Sequence, residues 1–249
     1  MVRNMRNIRL LLQYEGTRYQ GWQRQESSSN TIQAKLEQLL SKMCGEPIEL
    51  QSSGRTDSGV HAKGQVANFH TDCQLTPEEV LAYCNRYLPE DIAVVEVREV
   101  SPRFHSRLHA TGKAYRYQIL NSRIPDVFLR RYAQEIEEEL DVAAMRRAAE
   151  FLTGEHDFRS FTSSKKGNKP TVRRLDEIRI EKKGALITIF FRGNGFLYHM
   201  ARILAGTLVE VGMKKRAPES MEEVLKAGDR EQAGRLLPAK GLTLVEVYY

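Results

Sequence analysis

The chain has 249 residues, 41% hydrophobic and 28% charged, with a formal net charge of +6. That length is comfortable for two closely packed halves, and the mixed-sign charge is that of an ordinary soluble protein. No run of about 18 apolar residues occurs, which excludes a membrane-spanning helix of ordinary length.

The N-terminal Met1-Val2-Arg3-Asn4-Met5-Arg6-Asn7 has basic residues with no apolar core behind them, so no secretory signal is expected. Cys44, Cys73 and Cys84 are odd in number and lack Cys-x-x-Cys spacing. Disulfides and zinc fingers are therefore not expected, and a cytoplasmic location is. His105 and His109 are four apart, but Pro102 and Gly112 flank them and break the helix a metal pair would need. No metal is expected.

In chain order, residues 8–14 read as a buried strand, followed by a polar loop that holds Trp22, the single tryptophan. Asn30, with Gln33 three residues on, reads as the N-cap of a helix that carries Ile32, Leu36, Leu39, Leu40 and Met43 and stops at Gly45. Strands follow at 48–51 and 65–70. Thr76-Pro77-Glu78-Glu79 is a capping box for a helix running to about Leu88, and 92–100 is a strand. The second half repeats the order. Strand 112–120 is followed by helix 141–152, then strands 172–181 and 185–192 around Lys182-Lys183-Gly184. Helix 195–211, a short helix opened by a capping box at Ser220–Glu223, and strand 242–248 complete it.

Each half thus reads β-α-β-β-α-β, the split-βαβ or ferredoxin-like unit, with an extra helical segment in the second. The expected fold class is α+β, with two tandem halves at 1–101 and 102–249. Their strands would form a continuous, mainly antiparallel sheet with helices on one face and a cleft at the centre.

Three stretches carry candidate chemistry. The first is Gly54-Arg55-Thr56-Asp57-Ser58-Gly59-Val60-His61-Ala62. Glycines let backbone approach a ligand closely, so Asp57 could lie at the floor of a cleft; an ordinary turn with Asp57 in an Asx turn is the plain alternative. A phosphate loop is excluded, because Val60-His61 stands where Lys and Ser or Thr would be needed. The second is Lys113-Ala114-Tyr115-Arg116-Tyr117. Tyr115 and Tyr117 share one strand face, either as half-buried packing or as an aromatic platform for a base. The third is Gly195–Gly206, in which Arg202 lies among apolar neighbours and calls for a carboxylate or phosphate partner. Basic residues recur at Arg103, Arg107, Lys113, Arg116, Arg130-Arg131, Lys165, Lys166, Lys169, Arg173, Arg174 and Lys214-Lys215-Arg216. Spread over the second half with aromatics between them, they suggest a groove that tracks a nucleic-acid backbone.

Taken in order, these stretches resemble the bacterial tRNA pseudouridine synthase A family from end to end. The pattern is Tyr14-Glu15-Gly16-Thr17, Gly21-Trp22-Gln23-Arg24-Gln25, Gly54-Arg55-Thr56-Asp57, Gly59-Val60-His61-Ala62 and Gly64-Gln65-Val66. It continues as Lys113-Ala114-Tyr115-Arg116-Tyr117, Phe196-Leu197 with Met200 and Arg202, and Gly241-Leu242 with Leu244. Ala201 departs from the family's usual Val, a small change in a packing position, and Ser58 varies within the family. The resemblance implies the pseudouridine synthase fold, with Asp57 as the essential aspartate and Tyr115 stacking on the target base. It implies Arg202 pairing with the aspartate and Arg55 helping to evert the nucleotide. It also implies a homodimer that isomerises uridines at positions thirty-eight to forty of the tRNA anticodon stem-loop, with no cofactor and no metal. Two rivals fit parts of the pattern. A non-catalytic RNA-binding protein leaves the joint presence of Asp57 and Arg202 without a reason. A base-removing glycosidase needs a second acid that the motifs lack.

Overall fold

The computed structural model describes residues 5–164 and 170–249, so Lys165, Lys166, Lys169 and the first four residues lie outside the description. The chain forms two compact units: residues 1–111 together with 244–249, and residues 112–243. The fold class is α+β, with mainly antiparallel strand pairing in each unit.

In the first unit, β1 (Arg6–Tyr14) is central. It pairs antiparallel with β3 (His61–Thr71) on one side and β4 (Ile92–Val100) on the other. β2 (Gln51–Ser52) adds to β3, as does β10 (Leu242–Tyr248). The order β4-β1-β3-β2 is the one a split βαβ produces. Ile8, Leu10, Leu12 and Tyr14 are buried at every second position of β1, the period that puts them on one face. α1 (Ile32–Cys44) buries Ile32, Leu36 and Leu40, and α2 (Pro77–Tyr87) buries Val80 and Cys84.

Local chemistry explains where this unit departs from expectation. The cap of α1 is Thr31, whose hydroxyl accepts from Ala34 N–H at 3.2 Å. Asn30 instead donates to the Arg18 carbonyl at 2.6 Å and fastens the preceding loop. The strand expected at 48–51 shrinks to β2, because α1 side chains take its backbone donors. Ile48 N–H goes to Ser41 Oγ and Leu50 N–H to Glu37 Oε1, both at 2.9 Å. The capping box of α2 forms as expected.

The second unit is a sheet in the order β5-β9-β8-β7, antiparallel throughout: β5 (Gly112–Asn121), β9 (Leu186–Gly193), β8 (Val172–Lys183) and β7 (Gly154–Asp157). β6 (Gln134–Ile136) pairs parallel with β5. Ile119, Ile187, Ile189, Phe191 and Ile180 are buried, as are Met145 and Leu152 of α3 (Val142–Leu152) and Ile203, Leu204 and Leu208 of α4 (Met200–Gly212). α5 (Ser220–Ala227) follows. The β8–β9 hairpin closes on Gly184-Ala185, with Gly184 at φ +59. That is one residue later than expected and suits a tight two-residue turn.

Three expectations fail here. β6 and β7 were not foreseen, since three- and four-residue strands carry no apolar alternation. The helix expected from Gly195 begins at Met200, because His199 takes a left-handed conformation at φ +65 and ends the irregular turn before it. The capping box at Ser220 does not form; Ser220 Oγ donates to the Ala217 carbonyl at 2.7 Å.

Candidate active site

The loop that holds Asp57 is fastened from both sides. On one side, Gln65 of β3 is fully buried and acts as a hub. Its side-chain oxygen accepts from Ser53 Oγ at 2.6 Å and from its neighbour Val66 N–H at 3.1 Å, and its amide donates to the Gly54 carbonyl at 2.8 Å. On the other side lies the turn after β1. Thr56 is buried; its hydroxyl bonds Tyr14 Oη at 2.8 Å and its carbonyl accepts from Trp22 N–H at 3.0 Å. Ser58 Oγ donates to the Tyr19 carbonyl at 3.0 Å, and Val60 N–H closes the turn onto the Asp57 carbonyl at 3.1 Å. Burial pushes the Tyr14 phenol well up, so it stays neutral as a hydrogen-bond partner.

Two glycines make this packing possible. A Cβ at Gly16 would run into the Val60 carbonyl, and one at Gly21 would sit 2.8 Å from the Thr56 carbonyl. Gly21 also has φ +86, a conformation L side chains rarely adopt. His61, the first residue of β3, is buried, and its Nδ1 accepts from Gly16 N–H at 3.0 Å, which places the neutral ring's proton on Nε2. Trp22, at 1% exposure, lies against Tyr14 with ring centroids 6.1 Å apart. Asp57 is half-buried and Arg55 exposed on this scaffold.

Tyr115 and Arg202 belong to the second unit. The two tyrosines of β5 share a face as the alternation requires, but they differ in use. Tyr117 is fully buried, its hydroxyl donates to the Pro238 carbonyl at 2.8 Å, and its ring occupies the space a Cβ on Gly241 would need. It is a packing residue. Its phenol is pushed well up, mainly by burial, with the charges of Arg202 and Arg235 opposing. Tyr115, 9% exposed, meets the Phe196 ring edge-on at 4.9 Å. Arg202 is half-buried on the first turn of α4, and its Nε donates to the Leu237 carbonyl at 2.7 Å, which fixes the guanidinium's direction. Tyr115 shares β5 with Tyr117, whose hydroxyl bonds the carbonyl next to the one that Arg202 holds. Arg55 and Asp57 share one loop of the first unit.

Sequence reasoning missed Thr56 and Gln65, the two buried polar residues that hold the Asp57 loop. It also placed Phe196 on the helix, whereas Phe196 belongs to the turn before it. Some basic residues of the expected groove are engaged within the fold. Arg174 pairs with Asp176 at 2.8 Å, Arg216 with Glu210 at 2.7 Å, and Arg173 donates to the carbonyls of Pro170 and Val172. Burial lowers the guanidinium pKa of Arg116 and Arg173. Among the described residues, no group of three or more His, Cys, Asp or Glu side chains could hold a metal ion, and no helix is long and apolar enough to cross a membrane.

Comparison with known proteins shows which family the chain is similar to. The model of a family described as tRNA pseudouridine synthase matches residues 10–107 and 148–249. The tRNA pseudouridine synthase A 1 of Clostridium tetani is 46% identical over 245 residues, covering 98% of this chain and all of the relative. The tRNA pseudouridine synthase A of Acetivibrio thermocellus is 42% identical with the same coverage. That of a Bacillus species, strain KSM-64, is 46% identical over 240 residues, covering 96% of this chain and 98% of the relative. With matches this long and a loop built to hold one aspartate, the chain belongs to the tRNA pseudouridine synthase family.

Proposed function

We propose that this protein converts uridine to pseudouridine in the anticodon stem-loop of tRNA, at positions thirty-eight to forty, acting as a homodimer in the cytoplasm. The observation that carries the reading is the Asp57 loop. Buried hydrogen bonds through Thr56 and Gln65 and two close backbone approaches at Gly16 and Gly21 serve to hold one short segment still. Preorganisation of that kind suits a carboxylate that must meet a reacting atom.

The reaction breaks the bond from uracil N1 to ribose C1′, turns the base, rejoins it through C5, and moves the C5 proton to nitrogen. Atoms balance without any added carrier of electrons. Asp57 is the reactive carboxylate, placed where positive charge develops on the sugar. It attacks C1′, or it removes a sugar proton to give a glycal; both routes need the same carboxylate. Arg202 pairs with Asp57 and orients it through parallel hydrogen bonds. Tyr115 replaces the stacking that the target base loses when it leaves the helix, and Arg55 holds the everted nucleotide or fills its place. An ordinary phenol is a poor base, so stacking is the main role of Tyr115.

The test is to incubate the pure protein with unmodified tRNA and map pseudouridine by sequence position, alongside tritium release from C5-labelled tRNA. Mass-neutral conversion at the anticodon stem-loop supports the reading. Binding without conversion would leave an RNA-binding protein, and free uracil would leave a glycosidase. Affinity should be salt-sensitive, because each neutralised phosphate releases counterions.

A further inference from the structure

Tyr198 has no part in the chemistry above, yet its setting is unusual. It is 53% exposed, and its ring lies on the His199 ring with centroids 3.7 Å apart and planes 28° apart. His199 holds this arrangement at φ +65, a conformation uncommon outside glycine and several-fold enriched in His over most other residues. The Tyr198 carbonyl is fixed by Thr162 Oγ1 at 3.0 Å and Ser163 N–H at 3.3 Å. The turn is further set by Leu197 N–H on Met200 Sδ.

The same turn carries Phe196, whose ring packs on Tyr115, and leads directly into the helical turn with Arg202. The Arg173 guanidinium lies beside Gly195, with Nε 3.5 Å from where a Cβ would be. A half-exposed aromatic pair, held in a turn that the Arg173 guanidinium approaches at Gly195, matches the chemistry of an unpaired base attached to phosphate.

We propose that the Tyr198–His199 pair is a stacking platform for an unpaired base next to the target uridine, and so a specificity-determining contact for the RNA loop. The inference rests on the reading of the chain as a tRNA-modifying enzyme.

The experiment uses the full-length protein, Tyr198→Ala and Tyr198→Phe with an anticodon stem-loop RNA, and RNAs made abasic in turn at each nucleotide flanking the target. Tyr198→Ala should raise KM by about 5- to 150-fold with kcat within about threefold, because one base–aromatic stack is lost. Tyr198→Phe should behave as the parent, since the ring and not the hydroxyl makes the contact. At one flanking nucleotide the abasic RNA should bring the parent down to the level of Tyr198→Ala and cost the variant nothing more. A second readout needs no turnover. 2-Aminopurine at that nucleotide should be quenched on binding the parent and Tyr198→Phe but not Tyr198→Ala, so a protein that bound RNA without modifying it would still decide the matter. An unchanged KM in Tyr198→Ala, or equal abasic losses in parent and variant, overturns the proposal. A weakened self-association with no dependence on the flanking base would also overturn it, and would assign Tyr198 to contact with a second copy.

Discussion

The Asp57 loop and the Gly195–Arg202 turn are both irregular segments fastened by side-chain bonds to backbone carbonyls, but they present different surfaces. The first is locked by hydrogen bonds from buried side chains to its backbone and by glycines that admit a neighbouring turn at contact distance. The second adds a left-handed residue and ring contacts to the bonds that Thr162 and Ser163 make on the Tyr198 carbonyl, and it leaves the Tyr198 ring half in solvent. A segment of the first kind keeps one group still. A segment of the second kind offers surface to something that arrives. Under the proposed function the first segment carries chemistry and the second recognition.

The largest expected effect tests the chemical side. Asp57→Asn keeps size and backbone and removes the charge, so turnover should fall by at least about 10³-fold, as for the loss of a reacting group. Affinity for tRNA should stay within a few-fold in a filter-binding or anisotropy measurement. Ordinary pseudouridine formation in this variant would remove the distinction between the two segments. Arg202→Lys comes next. It keeps the charge but loses the fork and the Nε contact to Leu237, and hydrogen bonds to charged groups are worth roughly 1.5–3 kcal/mol. Single-turnover rates should fall by about 10- to 150-fold with KM little changed. A change confined to KM would move Arg202 to the recognition side.

The elements with strong periodicity were legible in the sequence. The alternation of Ile8, Leu10 and Leu12, the capping box at Thr76, and the stripe of Ile203, Leu204 and Leu208 each depend on one local rule. What was not legible depended on distant partners. The strand expected at 48–51 dissolved because Glu37 and Ser41 of a helix took its donors. Helix α4 began five residues late because His199 tolerates a backbone conformation that sequence pattern does not encode. Arg55, Asp57, Tyr115 and Arg202 were named from motif and resemblance. Thr56 and Gln65 stand in the same pattern, but their role in holding the Asp57 loop came only from the hydrogen bonds. A motif shows which residue types recur together, while the reason for them lies in contacts tens of residues apart.

Gly16→Ala separates holding the loop from reacting. The added methyl group meets the Val60 carbonyl on a strand-to-loop junction where backbone cannot give way cheaply. Overpacking of this kind costs about 1–3 kcal/mol. Chemical denaturation should show that loss, and kcat should fall with it, since Val60 closes the turn onto the Asp57 carbonyl.

Tyr14→Phe is the mildest test of the same clamp. It deletes one hydroxyl, so the buried Thr56 loses a side-chain partner, while Trp22 N–H still holds the Thr56 carbonyl and Gln65 still holds Gly54. The expected cost is about 1 kcal/mol of stability, the typical net worth of one hydrogen bond. Turnover per folded molecule should stay within about threefold. If kcat instead collapsed while stability barely moved, the Tyr14 hydroxyl would be acting on the chemistry and not on the loop. The Asp57 segment would then be less a rigid mount than a site whose own side chains take part.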